Sequence, residues 1–177
     1  MALAGLRKRL EALQSFQRAL KVDPNYLAAL EGAETALVLS SGQAATTTAL
    51  MGLTASGDEV VCSSAIYGGT LHLLADLLPK FGIKPRFVSL EQLAKPESIF
   101  SDRTKLVVVN TPGNPSGKVF TKDELDQVAE LCRRHDALCV TDEIYEHILY
   151  DGRRHLRMGA FPGMEDRTIT ISGFSHT

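Results

Sequence analysis

The sequence lacks a strong excess of charge of either sign. Its 177 residues carry 19 Lys and Arg against 21 Asp and Glu, which gives a formal net charge of -2. Proteins that bind nucleic acid or an anionic membrane surface usually carry a clear basic excess. We therefore expect neither nucleic acid nor a membrane as a partner.

Long apolar runs are missing as well. No stretch approaches the length of about 20 residues that crosses a bilayer as a helix. The opening segment, MALAGLRKRLEAL, interrupts its leucines with charged residues and does not have the pattern of a signal peptide. A cytoplasmic location is the resulting expectation.

Cysteine is scarce, with three residues that all lie in apolar stretches: Cys62, Cys132 and Cys139. An odd number in such surroundings predicts buried thiols in a reducing compartment. Cys132 and Cys139 could be combined with His135 in a metal site, but no fourth ligand lies nearby. We predict no metal, and we interpret the remaining histidines, His72, His147 and His155, together with His135, as structural or solvated.

The first 27 residues predict a helical segment. Apolar residues recur every three or four positions over residues 2–22, which is the spacing of an amphipathic helix. The stretch FQRALKVDPNYLAAL is similar to the second half of a tetratricopeptide unit, but a solenoid needs several such units. A helix, an Asp-Pro turn and a second helix are the favoured interpretation. We expect residues 1–27 to be separate from a larger domain at residues 28–177.

From residue 34 onward, short apolar runs alternate with helical stretches. The predicted strands are residues 36–40, 59–64, 85–90, 105–110, 137–143 and 167–172. The predicted helices are residues 42–53, 68–82 and 121–136, with a short helical or irregular piece at 91–100. Strands that are apolar throughout are buried on both faces of a sheet. Their alternation with helices predicts an α/β fold with a doubly wound, mainly parallel sheet.

Functional residues of such sheets lie just beyond the carboxyl ends of the strands. After the first predicted strand, Ser41, Gly42 and Gln43 open a helix whose N–H groups could bind a phosphate. Taken alone, a plain strand-to-helix turn is the favoured interpretation. Tyr67 follows the second strand beside two glycines, where a flat ligand could lie against its ring. A tyrosine half-buried at a helix start is an equally good interpretation of that residue.

The fourth strand is followed by TPGNPSG, residues 111–117, a loop that two prolines and two glycines make rigid. Asn114 precedes a proline and is held extended, so its amide can serve as a dedicated hydrogen-bonding group. Asp142 closes the next buried strand, where low dielectric disfavours its charge unless a cation pairs with it. The partner could be an arginine, a helix N-terminus or, as the functional alternative, a protonated heterocycle, and Tyr145 could reach the same ligand.

These stretches together resemble a known superfamily. The segment NTPGNPSGKVFTKDELDQVAELCRRHDALCVTDEIYEHILYDG is similar to the class I/II aminotransferases of the pyridoxal-phosphate fold-type I superfamily. The segment LAALEGAETALVLSSGQAATTTALMGLTASGDEVVCSSAIYGGT is closer to the cystathionine-synthase and methionine-lyase branch. The resemblance covers roughly residues 28–177 and implies the large domain of that fold.

The resemblance also implies a cofactor, pyridoxal 5'-phosphate, and a role for each strand-end residue. Gly42 and Gln43 would donate backbone N–H groups to its phosphate, with Ser41 nearby, and Tyr67 would stack on its ring.

Asn114 and Tyr145 would hydrogen-bond the 3-oxygen of this cofactor, by the same resemblance. Asp142 would keep the pyridine nitrogen protonated, which makes the ring an electron sink. A neutral replacement of Asp142 is then expected to be crippling in a competent enzyme.

The terminal segment ISGFSHT corresponds to the superfamily corner that ends in Ser-x-x-Ser-Lys-Thr, whose lysine forms a Schiff base with the cofactor. His176 stands at the lysine position, and imidazole has no primary amine. Ser172 and Ser175 remain as candidate phosphate ligands. The catalytic candidates are therefore Asp142, Tyr145 and His176, the last at most as a proton shuttle. The resemblance further implies that the large domain is incomplete at its carboxyl end, and we expect weak or no activity from this chain.

Two functions follow as expectations. The first is amino-group transfer between an amino acid and a 2-oxo acid by a homodimeric enzyme. The second is a non-catalytic fold-type I fragment that binds cofactor or a partner. A nicotinamide-dependent Rossmann protein is set aside because G-x-G-x-x-G does not follow the first strand. The substrate amino acid and the choice between transaminase and lyase stay open, with the more complete motifs of the second half favouring a transaminase.

Overall fold

A computed structural model describes residues 33, 35–89, 92 and 99–173. The chain divides between Ala45 and Thr46 into two compact units, residues 1–45 and 46–177. Several predictions lie outside the described residues: the amphipathic helix at 2–22, most of the piece at 91–100, Ser175 and His176. No helix in the described part of the chain combines the length and the apolar character needed to cross a bilayer.

The second unit contains a five-stranded parallel sheet. Its strands are β1 (Glu59–Ser63), β2 (Lys84–Val88), β3 (Thr104–Asn110), β4 (Leu138–Asp142) and β5 (Thr168–Ile171). They lie in the order β2-β1-β3-β4-β5, and every neighbouring pair is parallel. The order reverses direction between β1 and β3, and since crossovers between parallel strands are normally right-handed, we expect the connecting helices to lie on opposite faces. The predicted α/β class with a parallel sheet is confirmed.

Three α-helices are described: α1 (Gly42–Leu53), α2 (Gly68–His72) and α3 (Lys122–Arg134). α3 begins with a capping box formed by Thr121 and Glu124. The Thr121 hydroxyl accepts a hydrogen bond from the Glu124 N–H at 3.3 Å, and the Glu124 carboxylate accepts one from the Thr121 N–H at 2.8 Å. These two bonds satisfy N–H groups that the helix itself cannot pair, which defines where α3 begins.

The helix predicted over residues 68–82 is interrupted. α2 ends at His72 and is followed by a π-helical turn, Leu73–Leu77, and a 3₁₀ turn, Leu78–Phe81. Pro79 has no N–H to donate and its ring crowds the carbonyl four residues earlier, so the regular α-helical pattern cannot continue through it. Gly82 closes the turn at φ +78°, and an added Cβ there would collide with the Ser56 side chain.

The strand predicted at residues 36–40 is wrong. These residues form no strand in the structure, and the side chain of Leu37 is 74% exposed. An apolar run becomes a strand only where a neighbouring strand accepts and donates its backbone hydrogen bonds. The apolar pattern at 36–40 predicts burial but cannot supply that neighbour.

The core lies on both faces of the sheet. Val107 and Val109 of β3 pack in one apolar cluster with Val128 and Leu131 of α3. The alternate residue Leu106 is also fully buried, so β3 has no solvated face. The continuous apolar run of β3 therefore reflects burial from both sides, as predicted.

Candidate functional site

The carboxyl ends of β3, β4 and β5 lie side by side at one edge of the sheet. Asn110 is the register partner of Asp142, and Asp142 is the register partner of Ile171. Neighbouring strands are about 4.8 Å apart, so the loops that leave these three residues start close together. This edge therefore collects Asn114, Tyr145 and Ser172.

Asn110 connects two of these loops. Its side chain is buried, and its Nδ2 donates to the carbonyl oxygens of Asp142 at 3.1 Å and Pro112 at 3.4 Å. Its Oδ1 accepts a hydrogen bond from the Asn114 N–H at 2.9 Å. The amide therefore fastens the loop after β3 to the end of β4. Asn110 is absent from the residues predicted above; its signal in the sequence is an amide residue that closes an otherwise apolar strand.

The loop after β3 is held closed by its own backbone. The Gly113 N–H donates to the Lys118 carbonyl at 2.8 Å, and the Gly117 N–H donates to the Gly113 carbonyl at 2.7 Å. The peptide bonds before Pro112 and Pro115 are cis. A Cβ on Gly113 would lie 2.9 Å from the Ser116 Oγ and 3.3 Å from the Asn110 carbonyl oxygen, so the Ser116 side chain would have to move to admit a larger residue. The two backbone hydrogen bonds close the loop on itself, and its rigidity stays a prediction.

Asn114 and Tyr145 meet across this edge. The Asn114 Nδ2 donates a hydrogen bond to the Tyr145 phenol oxygen at 3.3 Å, although the residues lie 31 positions apart in the sequence. Asp142 is half-buried, and its Oδ1 accepts a hydrogen bond from the Ile144 N–H at 3.3 Å. Three of the predicted site residues, Asn114, Asp142 and Tyr145, are thus brought together.

A second set of polar side chains belongs to the chain that follows β4: Glu143, Glu146, His155 and Arg157. Glu143 is 1% exposed, and its Oε2 lies 2.7 Å from the His155 Nε2. Ligand atoms of Glu143, Glu146 and His155 all lie within 4.8 Å of one another. Arg157 already pairs with Glu146 at 3.0 Å, and a guanidinium beside the group disfavours a metal cation there. Glu143 was not among the predicted site residues, although it lies between two of them in the sequence.

The candidate phosphate cup lies at the start of α1, in the first unit of the chain. The Ser41 hydroxyl accepts a hydrogen bond from the Ala44 N–H at 3.1 Å and so caps the helix. Ser41, Gly42 and Gln43 are all exposed, and a Cβ on Gly42 would meet no atom within 4 Å. The turn predicted here is confirmed, while a role in binding phosphate stays a prediction.

Tyr67 lies just before α2, and its ring is 46% exposed. A cavity of about 60 Å³ lies between the carboxyl ends of β1 and β3, lined by Ser63, Asn110, Lys118 and Phe120 among others. This volume suits a few water molecules. Ser172 follows β5 directly and is exposed.

All three cysteines are free and buried, as predicted. Burial raises the pKa of the Cys62 thiol. A hydrogen bond with Cys132, together with burial, raises the pKa of the Cys139 thiol. Neutral, inaccessible thiols of this kind are core residues rather than nucleophiles.

Comparisons with known proteins give a family. The family model described as Cys/Met metabolism PLP-dependent enzyme matches residues 20–150. Kynurenine–oxoglutarate transaminase 3 of Rattus norvegicus is 36% identical over 169 residues, which cover 89% of this chain and 36% of that protein. Kynurenine–oxoglutarate transaminase 1 of Homo sapiens is 36% identical over 154 residues, covering 80% of this chain and 36% of that protein. The chain spans about a third of the length of these relatives.

Solved structures agree with both branches of the resemblance. N-succinyldiaminopimelate aminotransferase from Mycobacterium tuberculosis superposes with a TM-score of 0.68 at 30% identity, over 77% of this chain and 36% of that one. A putative O-acetylhomoserine (thiol)-lyase from Campylobacter jejuni superposes with a TM-score of 0.62 at 29% identity, over 67% of this chain and 29% of that one. The fold-type I resemblance is confirmed.

Proposed function

The chain belongs to the family of Cys/Met metabolism PLP-dependent enzymes, and from this premise we propose that it binds pyridoxal phosphate at the carboxyl edge of its sheet. One observation carries the proposal: the hydrogen bond between Asn114 and Tyr145, beside Asp142. We further propose that residues 28–177 are part of a large aminotransferase domain.

The side chains at this edge fit the ring of the cofactor by their chemistry. The Asn114 amide and the Tyr145 phenol can both donate to an anionic 3-oxygen. The Asp142 carboxylate can accept a hydrogen bond from a protonated pyridine nitrogen, and their opposite charges favour the protonated form of that nitrogen. When bound, pyridoxal phosphate serves as an electron sink for negative charge at the α-carbon of an amino acid.

The phosphate and the open face of the ring are proposed to contact three other regions of the chain. Gly42 and Gln43 would donate backbone N–H groups to the phosphate with Ser41 nearby, because the first turn of a helix favours an anion. Ser172 and Ser175 would add hydroxyl donors. The exposed ring of Tyr67 would stack on the pyridine.

For the whole protein we propose amino-group transfer between an amino acid and a 2-oxo acid. The transaminase names of the most similar relatives support this reaction over the lyase alternative. A cytoplasmic homodimer is proposed with it. Sedimentation velocity of the purified chain would test the dimer, and fractionation of the source cells would test the location.

His176 favours a second candidate, a non-catalytic cofactor-binding protein. Histidine at the lysine position has no primary amine to bind the cofactor covalently. We propose that the chain is weak or inactive as a transaminase for this reason, with His176 at most moving a proton.

The test is a titration of the full chain with pyridoxal phosphate, followed by absorbance after dialysis. We expect the parent to retain cofactor and Asp142→Asn to bind it at least about tenfold more weakly. A carboxylate that raises the pKa of the pyridine nitrogen by one unit stabilises the protonated cofactor by about 1.4 kcal/mol, and the amide of asparagine loses that interaction. Asp166→Asn, which changes an exposed aspartate near β5, is the matched control and should bind like the parent.

The variant His176→Lys separates the two candidates. If the parent lacks only the lysine amine, His176→Lys should gain a borohydride-reducible cofactor adduct at residue 176, detected by peptide mass spectrometry. The same variant should also gain transamination activity. Retained cofactor without any adduct or activity would favour the non-catalytic candidate. Parent and variants that all fail to hold the cofactor would refute the proposed binding site.

A further inference from the structure

Glu143 is a buried carboxylate that none of the proposed cofactor contacts uses. Its Oε1 accepts hydrogen bonds from the Thr141 hydroxyl at 3.2 Å and the Met158 N–H at 3.4 Å, and its Oε2 pairs with the His155 Nε2 at 2.7 Å. Its own N–H donates to the Ile171 carbonyl at 2.9 Å. Burying a carboxylate is costly unless such bonds compensate it, so the site resists rearrangement.

His155 makes its polar contact in one direction. Its side chain is 7% exposed, and its Nδ1 is buried with no hydrogen-bond partner among the described residues. Because a carboxylate accepts and does not donate, the His155 Nε2 is the donor of the 2.7 Å hydrogen bond with Glu143.

A second pair reinforces the first. The Arg157 Nη2 and Nε lie 3.0 Å and 3.3 Å from the Glu146 Oε2. The pairs Glu143–His155 and Glu146–Arg157 thus join the same two stretches of chain, residues 143–146 and 155–157. Tyr145 lies between the two acidic residues, and Asp142 directly precedes the first.

We propose that Glu143 and His155 are positioning residues that hold Asp142 and Tyr145 in the orientation that binds the cofactor. The inference rests on the proposed function, because it assigns to these two residues the support of that same site. Glu143 directly follows Asp142, so its hydrogen bonds fix the backbone at the end of β4. The hydrogen bond between Glu143 and His155 ties residue 155 to the start of the segment that carries Tyr145. Buried partners of this kind set the precision of the groups that contact a ligand.

The first test needs no cofactor. The Asn114 side-chain amide donates to Tyr145, so its NMR signals report the position of the phenol; their loss in Asn114→Ser would assign them. In His155→Leu, which removes the donor at similar volume, we expect these signals to shift or broaden. In His155→Gln, whose amide can place an N–H near the Nε2 position, we expect them to stay close to those of the parent.

The second test is the dissociation constant for pyridoxal phosphate of the same full-length variants. We expect a rise of about tenfold for His155→Leu and a much smaller rise for His155→Gln, in line with the effect of removing supporting partners at other sites. Should His155→Leu fail to fold, the isosteric Glu143→Gln takes its place. Val128→Ala, a buried change in α3, controls for a general loss of stability.

The outcomes separate the two proposals. Unchanged Asn114 signals in His155→Leu would overturn the positioning role, whatever the chain binds. Equal weakening of binding by Val128→Ala and His155→Leu would also overturn it, because general destabilisation would then be the cause. Asn114 signals that change in His155→Leu, together with a parent chain that binds no cofactor, would refute the proposed function and leave the positioning of Tyr145 supported.

Discussion

At the scale of single residues, the candidate site depends on amides and carboxylates that close strands. Asn110 and Asp142 end adjacent strands, and each uses its hydrogen bonds to fix the chain that follows. The Asn110 side chain contacts the backbone at three points, so its loop cannot move independently of β4. The position of Asn114 is therefore set in part by Asn110, a residue that is not among the proposed cofactor contacts.

Replacement of Tyr145 by phenylalanine removes one phenol and little volume. We expect Tyr145→Phe to weaken the binding of pyridoxal phosphate by about fivefold, because a net hydrogen bond contributes about 1 kcal/mol. The measurement is the same absorbance titration. Tyr150→Phe is the control, since the Tyr150 side chain is 74% exposed. Equal affinity of both variants and the parent would remove Tyr145 from the site.

At the scale of elements, α3 shows how local chemistry sets a helix start. Partial burial raises the pKa of Glu124, but hydrogen bonds with Lys118 and Thr121 outweigh it and leave this pKa below its ordinary value of 4.5. The ion pair with Lys118 has an N–O distance of 2.7 Å. Glu124 therefore joins the capping box to the loop after β3, which precedes α3.

Glu124→Ala should lower the free energy of unfolding by about 1 kcal/mol at pH 7, since a cap and a half-exposed ion pair are lost. A carboxyl group whose pKa is lower in the folded than in the unfolded chain stabilises the fold at a pH above its unfolded-state pKa. This stabilisation is lost as the pH falls through the folded-state pKa. The difference from the parent should thus shrink below pH 4.5. Urea unfolding across pH measures it, with Glu165→Ala, at an exposed position outside α3, as the control. A difference that stays constant with pH would show that the carboxylate charge does not contribute.

The other elements show where local chemistry is insufficient. The apolar period over residues 68–82 predicts one helix, yet Pro79 divides the segment into α, π and 3₁₀ turns. Residues 36–40 have the apolar composition of a strand, but they do not pair with another strand in the part of the chain that the structure describes. The apolar pattern records neither the missing N–H of a proline nor the presence of a neighbouring strand, and these decide the backbone geometry in the two cases.

At the scale of the whole molecule, the packing of helices on the sheet buries all three thiols. Each cysteine lies on an element whose apolar side faces the core, and burial raises the pKa of Cys62. A thiol reacts as its thiolate, so a raised pKa and exclusion of the reagent act in the same direction.

We expect none of the three thiols of the native chain to react with Ellman's reagent on the timescale in which the urea-unfolded chain reacts completely. Thr48→Cys, at an exposed position of α1, should add one fast thiol and serves as the control. Fast labelling of a native cysteine, located by peptide mapping, would show that the core opens in solution.

Much of this organisation follows from residues close together in the chain. Apolar runs bounded by turn chemistry predict the five strands of the sheet within a few residues, and the capping box predicts the start of α3. Strand-end residues such as Asn114 and Asp142 are predictable because a parallel sheet must place them at one edge. The family resemblance depends on the same short stretches, so the amino-acid sequence is sufficient to reveal it.

Contacts between distant residues could not be predicted in this way. The Asn114–Tyr145 bond spans 31 positions, the Asn110–Asp142 bond 32, and the Glu143–His155 pair 12. Nothing in the local pattern around His155 distinguishes a buried partner of a carboxylate from a solvated histidine. Which polar groups meet depends on strand order and register, and these are set by the packing of the whole sheet rather than by any one segment.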